Sequence, residues 1–478
     1  MRGLIRIAAL CCAFLASDIR AQDDEGVLAH VNGDVVTSTE FTGRYVDYLL
    51  RTGLQDQARL RRAMLEQMIS DRLLVATARA DGIEKTDAYA AHRETARRKL
   101  LIDSVLETDV LSNVDVTEAD LEEAFVRINT DLEARHLFAH TLEEAAALHE
   151  RLVDGETFEA LAKEVFVDTT LANNGGALGT FTFDELDADF EDAAFSLAIG
   201  DISAPVRTVQ GFSIIQVTNR FTKPILTESE YARQKEKLRT LLLRRHRAQA
   251  RSHFIRDRVW RLDAVFHGAF DRLLAQLTGL AIMSEEESAS LLMDSLVTFA
   301  SEGGLKSWMV GDFSERAAFT HPNQRAQVRT SADLSDFITG LVIRDELIER
   351  ALARATDEAA SFQAALESEM DEWILARRKQ EFSASIDVPE DSIRAQYERY
   401  PAEFTDKRGE PLTYEAAWPR IAEQLHLIYA RDRSMEYTAG LRRGAVIAIE
   451  EPALLGLTIA GRTFAAPAKH RENEGGTH

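Results

Sequence analysis

Apolar residues along this chain recur in two rhythms, and the change between them marks out its parts. In residues 38–127 and 228–262 they return every three to four positions, the period of a helix with one buried stripe. Phe41, Tyr45, Tyr48 and Leu49 share one such stripe, and Met64, Met68, Ile69, Leu73 and Val75 begin a second amphipathic helix that ends near Asp81-Gly82. Residues 87–110 read as a charged helix. Val116-Thr117-Glu118-Ala119-Asp120 opens another, with Thr117 at the cap and Asp120 three residues on in place of the usual Glu. Ahead of them Val27 to Thr37 reads as a hairpin turned at Asn32-Gly33, and Thr37 or Ser38 caps the first helix.

Between 130 and 222 the rhythm alternates. Leu132 to Phe138 has period two, which places His136 on the face opposite Arg135 and Leu137. Leu142 to Leu152 and Phe158 to Phe166 are helical, Asn173-Asn174-Gly175-Gly176 is a turn, and Leu178 to Phe181 is a short strand. Asp189 to Leu197 is a helix, and Val206 to Thr208 and Phe212 to Val217 are strands flanking Gln210-Gly211. With a helical turn at Asp168 the order is β-α-α-α-β-α-β-β. The helix that follows is basic from Arg233 to Arg258. It reads either as a solvated face or as a contact surface for acidic clients or for the acidic rest of the chain.

The second half echoes the first. Ile69-Ser70-Asp71-Arg72-Leu73-Leu74 matches Ile343-Arg344-Asp345-Glu346-Leu347-Ile348, 274 residues on. Ala96-Arg97-Arg98-Lys99 matches Ala376-Arg377-Arg378-Lys379 at 280, and Asp115-Val116-Thr117-Glu118 matches Asp387-Val388-Pro389-Glu390 at 272. The unequal offsets predict copies with insertions relative to each other. Pro389 suits a first helical position. Tyr397 to Phe404 then leads almost directly to a helix from Tyr414 to Arg433, with no room for a second domain like that of 130–222.

Composition narrows the setting. Arg2, Arg6 and the apolar run Ile7 to Ala16 read as a secretory signal ending near Ala21. The run is shorter than the roughly 20 residues needed to span a bilayer. Both cysteines, Cys11 and Cys12, fall inside it, so the mature chain is expected to have no disulfide and no thiol. The formal charge is −23, and removing Arg2, Arg6, Arg20 and Asp18 leaves −25. Such acidity excludes broad nucleic-acid binding, which rests on phosphate neutralisation. Twelve histidines are scattered without ligand spacing, and no Gly-rich phosphate loop is present, so neither metal nor cofactor is expected. No later segment is long and apolar enough for stable membrane insertion.

Arg135-His136-Leu137-Phe138, then Asp168, Asn174-Gly175-Gly176-Ala177-Leu178-Gly179, Phe190 to Leu197, and Pro205 to Ile215 have an order and spacing that resembles the parvulin family of peptidyl-prolyl cis/trans isomerases. The hairpin at Val31-Asn32-Gly33, the long helices and the Val116 to Phe125 helix are similar to the N-terminal region of SurA-type periplasmic chaperones. The resemblance implies an α+β domain, a four-stranded antiparallel sheet with helices, inserted in a mostly α-helical chaperone module. The implied plan is a signal peptide (1–21), an N-terminal helical domain (22–129) and the isomerase domain (130–222). A long basic helix with a connecting helical segment (223–300), a second, degenerate helical region (301–466) and a disordered tail (467–478) follow. It implies a proline pocket at Leu178, Leu186 and Phe190, and a polar cluster of His136, Asp168 and Thr208. Ser213 stands where the family has a second histidine, and Ala177 where it usually has Asp. The implied activity is cofactor-free prolyl isomerisation and chaperoning in the periplasm, on unfolded or nascent exported polypeptides, outer-membrane proteins among them. Ser213 keeps a second reading open, a holdase whose parvulin-like domain binds peptides without turning them over.

Overall fold

The computed structural model describes residues 26–224, 227–406 and 409–459, with the backbone of 462–463. The signal-like segment and the tail from Pro467 lie outside the described residues.

Strands β1 (Val27–Val31) and β2 (Asp34–Thr37) pair across Asn32 and Gly33, both in the left-handed region (φ 52° and 94°) that a tight hairpin turn requires. Helix α1 (Ser38–Thr52) is capped by Thr37, whose hydroxyl accepts from the Glu40 amide. Helix α2 (Ala58–Ala80) starts more than a turn before Met64. Its first turn carries no apolar signal because the side chain it buries is Arg61, which is fully enclosed. That guanidinium pairs with Asp56 and donates to the carbonyls of Leu454, Leu455 and Leu457. Helices α3 (Asp87–Leu106) and α4 (Glu118–Arg127) follow, the latter with the expected Thr117–Asp120 capping box.

Next come β3 (Thr130–Ala139), α5 (Leu142–Val153), α6 (Phe158–Val165), α7 (Thr169–Asn173), β4 (Ala177–Phe181), α8 (Ala188–Ser196), β5 (Val206–Arg207) and β6 (Phe212–Thr222). This is the β-α-α-α-β-α-β-β order, in an antiparallel sheet ordered β4-β3-β6-β5. One face of the sheet packs Leu137, Leu148, Phe158, Leu161 and Ile214; the other packs Leu132, Phe181, Phe190 and Ile215 with Leu238 and Leu242. The last two belong to α9 (Glu228–Arg261).

Beyond α9 the expectation of a purely helical connection is corrected. β7 (Val265–Phe266), α10 (Ala269–Leu277), α11 (Glu285–Leu292), β8 (Ser295–Ser301) and β9 (Gly304–Met309) include a three-stranded sheet ordered β7-β8-β9. The β8 run carries Leu296, Val297 and Phe299 inward. α12 (Val310–Ala317), α13 (Pro322–Ala326), α14 (Ser331–Ala353), α15 (Ala360–Ala384), α16 (Glu390–Arg399), α17 (Tyr414–Gly444), β10 (Ile447–Ile449) and α18 (Glu451–Gly456) complete the described chain. Pro389 sits at the N-cap of α16, one place before the first helical residue.

The elements of the second half follow the order of those in the first, in a register that differs from the sequence matches. The β8–β9 hairpin, α14, α15 and α16 follow the order of the β1–β2 hairpin, α2, α3 and α4. α2 and α14 begin at Ala58 and Ser331, and α3 and α15 at Asp87 and Ala360, both 273 residues apart; α4 and α16 begin 272 apart, at Glu118 and Glu390. Over these helices the offsets differ by a single residue. The Ala96/Ala376 match is seven residues out of register, about two helical turns, which returns to nearly the same face and so mimics homology. The alignment continues into α9 and α17. Tyr231 and Tyr414 each donate to a glutamate of the preceding short helix, Glu118 and Glu390. They meet Phe125 and Tyr397 edge-on, at 5.4 and 5.5 Å. Leu238 and Leu242 are buried where α17 buries Ile421 and Leu425.

Two compact units result, one of residues up to Arg93 with Glu367 onward, the other of Glu94–Leu366. In the first, β10 extends the β1–β2 hairpin, and Phe41, Tyr45, Leu65 and Ile69 form a core with Leu454. Asp371 on α15 accepts there from Arg72 (3.3 Å) and Arg79 (2.6 Å) on α2. The second unit holds the sheet of residues 130–222, and with it the site.

Candidate active site

His136 lies on the central strand β3, between β4 and β6. Its amide donates to Gly176 O at 3.0 Å, which ties the Asn173–Gly176 turn to the strand. Gly176 has φ 76°, and a Cβ there would sit 2.0 Å from the His136 carbonyl oxygen. The position therefore requires glycine on two counts. The imidazole is enclosed by Phe166 (ring centroids 5.3 Å) and by Phe190, which meets it edge-on at 5.8 Å and 83°. Ser213 pairs with Phe138 across β3–β6, which puts it on the His136 face, and its Oγ is 3.4 Å from His136 Nδ1. Burial pushes the imidazole down to about 4. At neutral pH the ring is uncharged, with one nitrogen donating and the other accepting.

Phe190 reaches the site from the first turn of α8. Asp187 caps that helix: its Oδ1 accepts from the Asp189 and Phe190 amides, and its Oδ2 from the Val209 amide at 3.2 Å. One carboxylate thus links the pocket helix to the β5–β6 turn. Phe190 is buried and also packs edge-on against Phe181 at 6.2 Å. Leu178 is half-buried against the same core, and Leu186 is exposed on the loop before α8.

The other two polar candidates have local bonds. Asp168 is exposed and caps α7, its Oδ1 accepting from Thr170 N (2.8 Å) and Leu171 N (3.0 Å). The Leu171 and Thr170 amides hold its carboxyl below the usual range. Thr208 is buried, and its amide and hydroxyl both donate to Gly211 O, closing the β5–β6 turn. Among the described residues neither Asp168 nor Thr208 hydrogen-bonds His136 or Ser213. The structure therefore gathers His136, Ser213, Phe190 and Phe166, with Leu178 nearby in the same core.

Sequence reasoning missed Phe166, Asp187 and Glu191. Glu191, next to Phe190, is fully buried. It accepts from three successive amides, Asp184 (3.0 Å), Glu185 (2.8 Å) and Leu186 (2.7 Å), and from the guanidinium of Arg245 on α9 (2.5 Å). The available signal was its position: an acid on the same helical face as Ala194 and Phe195. The basic residues of α9 are likewise largely spent within the chain. Lys235 pairs with Glu118, Arg244 with Asp184, Arg247 with Glu107 and Arg256 with Asp189. Of the two readings of that helix, contact with the acidic rest of the chain accounts for these pairs.

The family model of the PpiC-type PPIase domain, the rotamase domain, matches residues 130–219, and this fold is that of a peptidyl-prolyl isomerase domain of that type. The foldase protein PrsA of Oceanobacillus iheyensis is 31% identical over 221 residues, which are 44% of this chain and 74% of that protein. PrsA from Bacillus anthracis, a solved structure titled a peptidylprolyl isomerase, is 24% identical and covers 44% of this chain and 77% of its own (TM-score 0.22). A SurA-like chaperone of Campylobacter jejuni, 24% identical, covers 48% and 96% (TM-score 0.19). The chain belongs to the PrsA family of foldases. Each of these matches spans less than half of it.

Proposed function

We propose that this protein isomerises X-Pro bonds in unfolded exported polypeptides, outer-membrane proteins among them, and holds those chains through its helical module. The observation that carries the reading is the uncharged His136 enclosed by Phe166 and Phe190 with Ser213 Oγ at 3.4 Å. The signal-like segment supports action in the periplasm, and no helix of the described residues is long and apolar enough to cross a membrane.

The chemistry demands such a site. An X-Pro bond turns over a barrier of roughly 18–20 kcal/mol set by amide resonance. In the twisted state the nitrogen lone pair localises and the carbonyl regains ketone character. A pocket accelerates rotation only by binding that state better than either planar one. Phe190, Leu178 and Leu186 supply apolar walls for the pyrrolidine ring. His136 and Ser213 supply hydrogen bonds that cost little reorganisation in a water-poor recess. Asp168 enters this reading as an electrostatic neighbour at the rim.

Exchange NMR of a short X-Pro peptide with the full chain tests the proposal. Acceleration that falls in His136→Ala, and falls in Asp168→Ala with peptide affinity held within a few-fold, supports the roles assigned. An unchanged rate in Asp168→Ala removes that residue. Binding without acceleration leaves the holdase reading, which Ser213 favours.

A further inference from the structure

We propose that Arg245 is a positioning residue for the proline pocket, acting through Glu191 to fix the Asp184–Leu186 loop and Phe190. The inference rests on the isomerase reading. It makes the pocket dependent on α9, a helix outside residues 130–222.

The loop keeps one side-chain bond of its own, Glu185 accepting from the Thr182 amide at 2.8 Å. Asp184 is a non-glycine residue at φ 73°, a conformation that costs free energy unless its surroundings over-determine it. Two side chains outside the loop supply the rest. The buried Glu191 carboxylate gathers the amides of Asp184, Glu185 and Leu186, and Arg244 of α9 bonds the Asp184 carboxylate at 2.6 Å. A carboxylate buried this deeply needs a cation, and Arg245 provides it, only 5% exposed itself. The same guanidinium donates to Ala188 O (2.8 Å) at the start of α8, to Asp192 (3.1 Å), and lies 4.4 Å over the Phe183 ring. One residue before Phe190, Asp189 is held by Arg256 (2.6 Å) and His253 (2.8 Å), also of α9. Phe190 is thus bracketed by two acids that α9 grips.

The second copy provides an internal control. With Tyr231, Leu238 and Leu242 aligned to Tyr414, Ile421 and Leu425, Arg245 falls on Ile428. No isomerase domain follows α16, and Ile428 is 40% exposed. The helix scaffold therefore does not itself call for arginine at this position; the inserted domain does.

The test uses the full chain with labelled leucine methyls. It compares Arg245→Ile and Arg245→Lys with Lys235→Ala, an ion pair on the same helix remote from the loop. The readouts are the Leu186 and Leu178 methyl shifts of the free protein and KM and kcat for an X-Pro peptide. Positioning predicts displaced Leu186 methyls and a KM raised about tenfold in Arg245→Ile, partial recovery in Arg245→Lys, and no change in Lys235→Ala. A folded Arg245→Ile protein with wild-type Leu186 shifts and KM would overturn it, leaving Arg245 a docking residue only. If Arg245→Ile unfolds the domain, Arg245→Lys and Glu191→Gln must move the same signals, and unchanged signals in both overturn the proposal. If the unaltered protein turns over no peptide, it is the isomerase reading that fails. The methyl shifts, with the dissociation constant for the proline peptide, then decide positioning by themselves.

Discussion

At the α4–α9 corner the chain leaves after Arg127, builds the whole isomerase domain and returns at Glu228; at the α16–α17 corner it leaves after Arg399 and returns at Tyr414. Both corners close with the same contacts, a tyrosine donating to a glutamate and meeting an aromatic ring edge-on. A corner clamped by its own side chains accepts a long insertion because loop-closure cost grows only slowly with length. The two helices diverge just past the shared contacts. α9 turns Arg244 and Arg245 toward acids of the inserted domain, whereas α17 presents Leu427 and Ile428 to solvent. The insertion therefore appears in the helix sequence as charge, and its absence as exposed apolar surface.

The comparison can be broken most sharply at the buried pair. Glu191→Ala leaves three amides and Arg245 without their acceptor and is expected to cost the isomerase domain about 3–5 kcal/mol, read by denaturant unfolding of its NMR signals. At the aligned position of the second copy, Ile428→Arg is expected to stay within about 0.5 kcal/mol, since that side chain meets water. Equal costs would mean that the two helices are not equivalent scaffolds. Phe190→Ala belongs with the large effects. Phe190 is core as well as pocket wall, so about 3–5 kcal/mol should go with the lost proline binding.

Acidification gives the next effect and separates the isomerase domain from the second copy. The native His136 titrates at about 4 against 6.5 when unperturbed. Between those values the unfolded chain binds a proton that the native ring refuses, so stability falls as pH drops from about 6.5 to about 4 and is then flat. The loss should be no more than about 3 kcal/mol, and absent in His136→Phe. An equal loss in that variant would assign it to other groups. Ser213→His should raise the isomerisation rate if the cluster lacks only its second imidazole; an unchanged rate would show that Ser213 is not what limits turnover. The smallest effects are expected from Tyr231→Phe and Tyr414→Phe, which remove the same exposed hydrogen bond from each corner. Their shifts in thermal midpoint should agree.

Much of the domain was legible because its signals are local. The alternation around His136, the Gly175-Gly176 turn and the Asp189 to Leu197 segment mark strand, turn and helix within a few residues each, and the eight elements came out in order. The β7–β9 sheet was missed because strands of two to seven residues between helices leave little periodic signal. The start of α2 was missed because its buried side chain is a charge, and the carbonyls that help satisfy it lie almost 400 residues away.

By itself the sequence determined the family, the order of elements from Thr130 to Thr222 and the cap at Thr117, since these depend on residue identity at short spacing. Only the tertiary structure decided the register of the second half against the first, the enclosure of His136 by Phe166 and Phe190, the capping tasks of Asp168 and Asp187, and the partnership of Glu191 with Arg245. Those depend on residues far apart in the chain whose charges and rings have meaning only once folding removes them from water.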